Sequence, residues 1–183
     1  MDTSGSMARS GQSCVIPLRW PITIAPGDEE VLSSFLCRAA QLHGLSPSRF
    51  CHFYMPGMPV WNRDIDRTPP PGLLKTVARQ AGLTSVEKIK QTTLSVSTKN
   101  KKGASAHTRL ILHWITEVGI YHRLRTLHGQ RFCPKCIQDR PFLLKHWRYS
   151  WCFCCTKHRI LLQDACQQCG AVVALHRAYA PLC

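Results

Sequence analysis

The sequence predicts a mainly α-helical protein with a helix-turn-helix-like N-terminal domain followed by small C-terminal zinc-ribbon or zinc-finger modules. Three observations carry that expectation. Apolar residues recur at helical spacing from Val31 to Ala40, proline and glycine cut the following stretch into short helices, and eight of eleven cysteines fall between Cys133 and Cys183. An odd number of cysteines cannot all pair within one chain. The opening Met1-Asp2-Thr3-Ser4-Gly5-Ser6-Met7 lacks the charged and apolar regions of an export signal, so the clustering favours metal over disulfides. No apolar run reaches the roughly 18 residues of a membrane span, and the expectation is a soluble, cytoplasmic protein.

Charge is distributed unevenly. Residues 1–87 carry 8 Lys/Arg against 7 Asp/Glu, whereas residues 88–183 carry 16 against 3. Thus +13 of the total +14 lies in the second part, which points to an anionic partner there, most simply nucleic acid. Solubility is the plainer use of such charge.

Residues 1–14 are small and polar, and the composition predicts disorder. The helical domain is expected over residues 15–128. Its first helix opens at Pro26-Gly27-Asp28-Glu29-Glu30, where three acids suit the positive end of a helix, and presents Val31, Leu32, Phe35, Leu36, Ala39 and Ala40 as one stripe. Gly44 ends it, and Ser46-Pro47 supplies a cap and a first-turn proline for a short second helix. Five prolines and two glycines between Met55 and Gly72 mark a loop or linker.

Leu73 to Ala81 reads as a helix, Gly82-Leu83 as a turn, and Thr84-Ser85-Val86-Glu87 as a capping box that opens the next helix. This pair, at about 73–94, has the outline of a helix-turn-helix with Lys88 and Lys90 outward and Val86 and Ile89 inward. The same outline equally builds an ordinary helical core. Lys99, Lys101 and Lys102 fall in a basic loop over residues 97–108. A third helix is expected from about Arg109 to Leu127, burying Leu110, Ile111, Trp114, Ile115, Val118 and Tyr121 or His122.

The first zinc finger is expected over residues 129–164. Cys133-Pro-Lys-Cys136 is a knuckle that aims two thiolates at one point, and after eighteen intervening residues Cys155-Thr-Lys-His158 completes a tetrahedral Cys3His shell. Cys152 and Cys154 lie beside Cys155 and compete for the same site. A second finger is expected over residues 165–183, where Cys166-Gln-Gln-Cys169-Gly170 forms another knuckle. Its remaining ligands downstream are His176 and Cys183, and a chain that stops on Cys183 suggests a final knuckle cut short.

A catalytic zinc needs an open position and a nearby general base. The deaminase pattern places His-x-Glu ahead of Pro-Cys-x-x-Cys, but here the proline lies inside the knuckle and the acids nearest the ligands, Asp139 and Asp164, have no such context. The metal is therefore expected to be structural, with no catalytic residue. Around it, Arg131, Lys145 and Arg148 interleave with Phe132, Phe142, Trp147, Tyr149, Trp151 and Phe153. Trp147 is the first choice for the core around the metal, and the rest suit a nucleic-acid or protein-docking face.

These residues resemble the TniQ family, the target-selection proteins of Tn7-like and related bacterial transposons. The resemblance rests on Asp28-Glu29-Glu30 followed by Leu32-Ser-Ser-Phe-Leu-Cys-Arg38, on Phe132-Cys-Pro-Lys-Cys136 followed by Lys145-His-Trp147-Arg148, and on Cys155-Thr-Lys-His158 followed by Cys166-Gln-Gln-Cys169-Gly170. It covers roughly residues 15–170. It implies an adaptor that links a target-recognising element and DNA to an AAA+ ATPase, with the opening helix a core element. The short C-terminal part is similar to members that work beside CRISPR effectors, where guide RNA chooses the site. The nucleic-acid contacts expected are Lys88, Lys90, Lys99, Lys101, Lys102, Arg131, Lys145 and Arg148. The competing reading is a stand-alone DNA-binding regulator that uses residues 73–94.

Overall fold

Apolar side chains at helical spacing build the first element where the sequence places them. In the computed structural model, which describes residues 19–94, 113–116, 118 and 129–174, α1 spans Leu32–Leu42 and buries Leu32, Phe35, Leu36, Ala39 and Ala40. Its C-terminus closes through Gly44 at φ 66°, with the amide of Leu45 donating to the Ala40 carbonyl. Ser46 then caps α2, Pro47–Tyr54, by accepting from the Arg49 amide at 3.3 Å.

The N-terminus of α1 differs from the expectation. No acid lies in its first turn, and Asp66 supplies the anion from the loop between Met55 and Gly72, accepting from the Ser33 amide at 2.7 Å and the Ser33 hydroxyl at 2.7 Å. Glu30 instead turns inward, where its carboxylate takes two hydrogen bonds from Arg38 at 3.0 and 2.7 Å and one from the Gly27 amide at 2.8 Å. The segment between Met55 and Gly72 is a loop but no linker. Met55, Val60 and Ile65 are buried with α1 and α2, so its breakers serve to fold irregular backbone onto the core.

Next come α3, Leu73–Gln80, and α4, Val86–Lys90, which pack together across Gly82 at φ 69°. The cap of α4 is Ser85, one residue beyond the Thr84 of the expected box. Its side chain accepts from the Glu87 amide at 3.1 Å, and Glu87 pairs with Lys90 rather than reaching back. Ile89 is buried and Lys88 and Lys90 face outward as the periodicity requires.

The expected third helix is corrected where the structure describes it. His113 is helical, but Ile115 pairs antiparallel with Tyr149, so the chain has left helical geometry there. Ile115 is buried while Trp114, in the turn before it, is 52% exposed. Leu110, Ile111, Tyr121 and His122 lie outside the described residues, as do residues 1–14.

Beyond this point, α5, Pro134–Asp139, is followed by a 3-10 turn at Lys145–Arg148 and a two-stranded antiparallel hairpin of β1, Cys154–Cys155, and β2, Ile160–Leu161. Phe132 pairs with Gln163, which draws the start of α5 against the strand after β2. This cysteine-rich part abuts α1 directly. The Val31 amide donates to the Leu143 carbonyl at 3.0 Å, the Lys145 amide to the Glu29 carbonyl at 2.7 Å, and the Leu143 amide to the Ser34 hydroxyl at 3.0 Å. Among the described residues no helix is long and apolar enough to cross a membrane.

Candidate metal centre

Helical spacing creates the first half of the site. Cys133 is the cap residue of α5 and Cys136 lies one turn later, with Pro134 fixing the backbone between them, so the two sulfurs share one side of the helix. Hairpin geometry creates the second half. Cys155 ends β1, and the tight turn to β2 includes Arg159 at φ 54°, which folds His158 back so that its amide lies 3.4 Å from the Cys155 sulfur.

The four donors converge: Cys133, Cys136, Cys155 and His158 offer ligand atoms all within 4.8 Å of one another. His158 Nδ1 lies 3.4 Å from Cys133 Sγ, 3.3 Å from Cys136 Sγ and 3.7 Å from Cys155 Sγ, while Cys136 and Cys155 sulfurs are 3.6 Å apart. A tetrahedral ion with metal–sulfur bonds of about 2.3 Å places its sulfurs roughly 3.8 Å apart. The donors therefore fit a metal ion at their centre. With Nδ1 turned inward, the other ring nitrogen of His158 faces Asp139, 3.8 Å away. Lys157 hydrogen-bonds that carboxylate and holds it below the usual carboxylate range, so it remains an anion behind the imidazole.

Burial, reinforced by hydrogen bonding with Cys155 and Cys133, pushes the Cys136 thiol up to about 12. A thiol this reluctant to ionise becomes a thiolate when a cation is available to it, so metal binding releases a proton there. Around the ligands, Val31, Leu143, Leu144 and Trp147 form a small apolar core with Cys133, Cys136 and Cys155. Trp147 is thus a core residue, as expected of it. Of the competing thiols, Cys152 and Cys154 stand outside the four-donor group, and the Cys152 sulfur lies 3.8 Å from the Cys154 carbonyl.

The second knuckle has the local form expected of it. Gly170 adopts φ 69°, its amide donates to the Cys166 carbonyl at 2.9 Å, and the Gln168 amide lies 3.4 Å from the Cys166 sulfur. His176 and Cys183 lie outside the described residues.

The proposed basic contacts divide. Lys88 and Lys90 are exposed, although Lys90 pairs with Glu87. Lys99, Lys101 and Lys102 lie outside the described residues. Arg131 donates to the Cys152 carbonyl at 2.9 Å and the Thr116 hydroxyl at 2.7 Å, and Lys145 lies 3.4 Å from Glu29. Arg148 is corrected. It is 1% exposed, and its guanidinium hydrogen-bonds Asp64 and lies 2.9 Å from Asp66, so no phosphate can reach it. It joins the cysteine-rich part to the anion that caps α1. Sequence reasoning missed Asp64 and Asp66; the signal available was their alternation around the buried Ile65.

A family model described as TniQ matches residues 21–162. That span includes α1 to α4, the four-donor cluster and both carboxylates that hold Arg148. No curated protein matches the chain.

Proposed function

The chain belongs to the TniQ family, whose members are non-catalytic target-selection adaptors in transposition, and from that premise we propose that it links a target-recognising element and DNA to an AAA+ transposition ATPase. The observation that carries this reading is the extent of the match, through residues 21–162, which takes in helices and metal cluster together. The target-recognising element is a CRISPR effector with its guide RNA. The site of action is the bacterial cytoplasm.

Zinc is the ion proposed for Cys133, Cys136, Cys155 and His158. Three thiolates and one imidazole in tetrahedral array suit it, and four protein ligands leave no position for a reacting water. When bound, the ion supplies a fixed cross-link and no chemistry. A second zinc at Cys166 and Cys169 takes His176 and Cys183. Elemental analysis tests the pair: two equivalents per chain are expected, and one equivalent contradicts the second site.

Residues 15–128 act as the helical domain, with Lys88 and Lys90 of α4 and Lys99, Lys101 and Lys102 on DNA phosphates, joined by Arg131 and Lys145. Mixing the protein with ATPase, ATP and duplex DNA tests the adaptor reading: ATPase filaments are expected to change in assembly or length. No change counts against it. The exposed lysines of α4 also favour a stand-alone regulator, which predicts one preferred DNA sequence in a selection experiment, lost in Lys88→Ala with Lys90→Ala.

A further inference from the structure

Three aromatic rings stand together on the metal-bearing part with no role in its core. Tyr149 lies parallel to Trp151, centroids 4.7 Å apart and planes within 2°, and Trp114 meets Trp151 edge-on at 6.1 Å. Both tryptophans are more than half exposed, Trp114 at 52% and Trp151 at 56%. Large rings left in water forgo a substantial burial gain, so an exposed group of them marks a binding surface.

Backbone hydrogen bonds hold the platform together. Ile115 and Tyr149 pair across it, the Thr116 amide donates to the Arg148 carbonyl at 2.8 Å, and the Ser150 amide donates to the Trp114 carbonyl at 2.8 Å. Arg131, bonded to Thr116 and to the Cys152 carbonyl, sets a cation at its edge. The chain to either side is strongly basic: residues 95–131 hold seven Lys/Arg against Glu117 alone. The centre of a protein-docking patch is depleted of charge, whereas rings with a cation beside them, in a stretch of basic sequence, are what a single strand requires, stacking for its bases and charge for its phosphates.

We propose that Trp114, Tyr149 and Trp151 form a stacking platform for the unpaired bases of single-stranded DNA. The choice of DNA rests on the adaptor reading, which brings the chain to DNA; the stacking itself rests on the rings. Duplex DNA keeps its base faces covered, so it meets the lysines but not this platform. A strand opened or distorted at a target site would present bases to it.

Fluorescence anisotropy of the full chain with a labelled single strand of about 20 nucleotides tests the proposal. Trp151→Leu and Trp114→Leu are each expected to weaken single-strand binding about 10-fold, Trp151→Phe to restore most of it, and duplex binding to stay unchanged. Failure of the native chain to bind single-stranded DNA, equal affinity in the leucine variants, or tighter platform-dependent binding of RNA would overturn it. If Trp151→Leu loses its fold by circular dichroism, Trp114→Leu decides. ATPase filament assembly on duplex DNA, measured with the same variants, separates the two readings: preserved assembly with unchanged single-strand affinity removes the platform and leaves the adaptor standing.

Discussion

Arg148, itself buried, holds two carboxylates, the partly buried Asp64 and the buried Asp66. Asp66 in turn accepts from Ser33 at the start of α1, so one guanidinium supports a helix cap that lies in another part of the chain. Removing one partner of a buried pair leaves an uncompensated charge, and Arg148→Met is expected to destabilise the protein by about 3–5 kcal/mol in urea denaturation. Arg148→Lys keeps the charge but loses the fork that reaches both acids, and should recover only part of the loss. Burial, opposed by Arg148 and reinforced by Asp64, lifts the Asp66 carboxyl from 3.8 to about 6. The folded state thus binds the extra proton between about pH 4 and 6, and the stability that Asp66 contributes falls as pH rises through that window. Asp66→Asn should remove this decline, read as a smaller stability difference between pH 4.5 and 6.5 than in the native chain. The pairing of the two carboxylates with Arg148 was not legible beforehand. Arg148 and Asp66 lie 82 positions apart, and a single sequence displays local spacing but not which distant anion a buried cation will find.

Elements were legible where their causes are local. The stripe of α1, its Gly44 stop and the Ser46-Pro47 start of α2 each depend on residues within a turn or two, and the structure forms all three. The knuckles were legible for the same reason, since Cys133-x-x-Cys136 and Cys155-x-x-His158 place their own donors. The bridge at Ile115 was not, because its geometry comes from pairing with Tyr149, and pairing overrides the helical periodicity around it. Acids before α1 suggested a dipole role, yet Glu30 was drawn inward by Arg38. That turn is held from outside as well: a Cβ on Gly27 would lie 2.5 Å from the Phe142 ring, over which the Arg38 guanidinium also sits at 5.6 Å. Gly27→Ala is therefore expected to cost about 1–3 kcal/mol, with the full zinc complement retained, by thermal melting and metal analysis of the same sample.

At the scale of the molecule, the metal core and the helical core meet at α1. Val31 caps α1 and packs with Cys133, Cys136, Cys155 and Trp147, while the next residue, Leu32, belongs to the helical core. Metal removal should therefore reach beyond the cluster: a chelator is expected to abolish the near-ultraviolet signal of buried Trp147 and lower the melting temperature of the whole protein. In the proposed function this coupling gives the ion its part, which is to fix the basic and aromatic face relative to the helices. The most direct measurement is ATPase filament assembly on duplex DNA with zinc-loaded chain and with Cys133→Ser. The account predicts that the loaded chain changes assembly and the variant does not; equal activity of the two would contradict it.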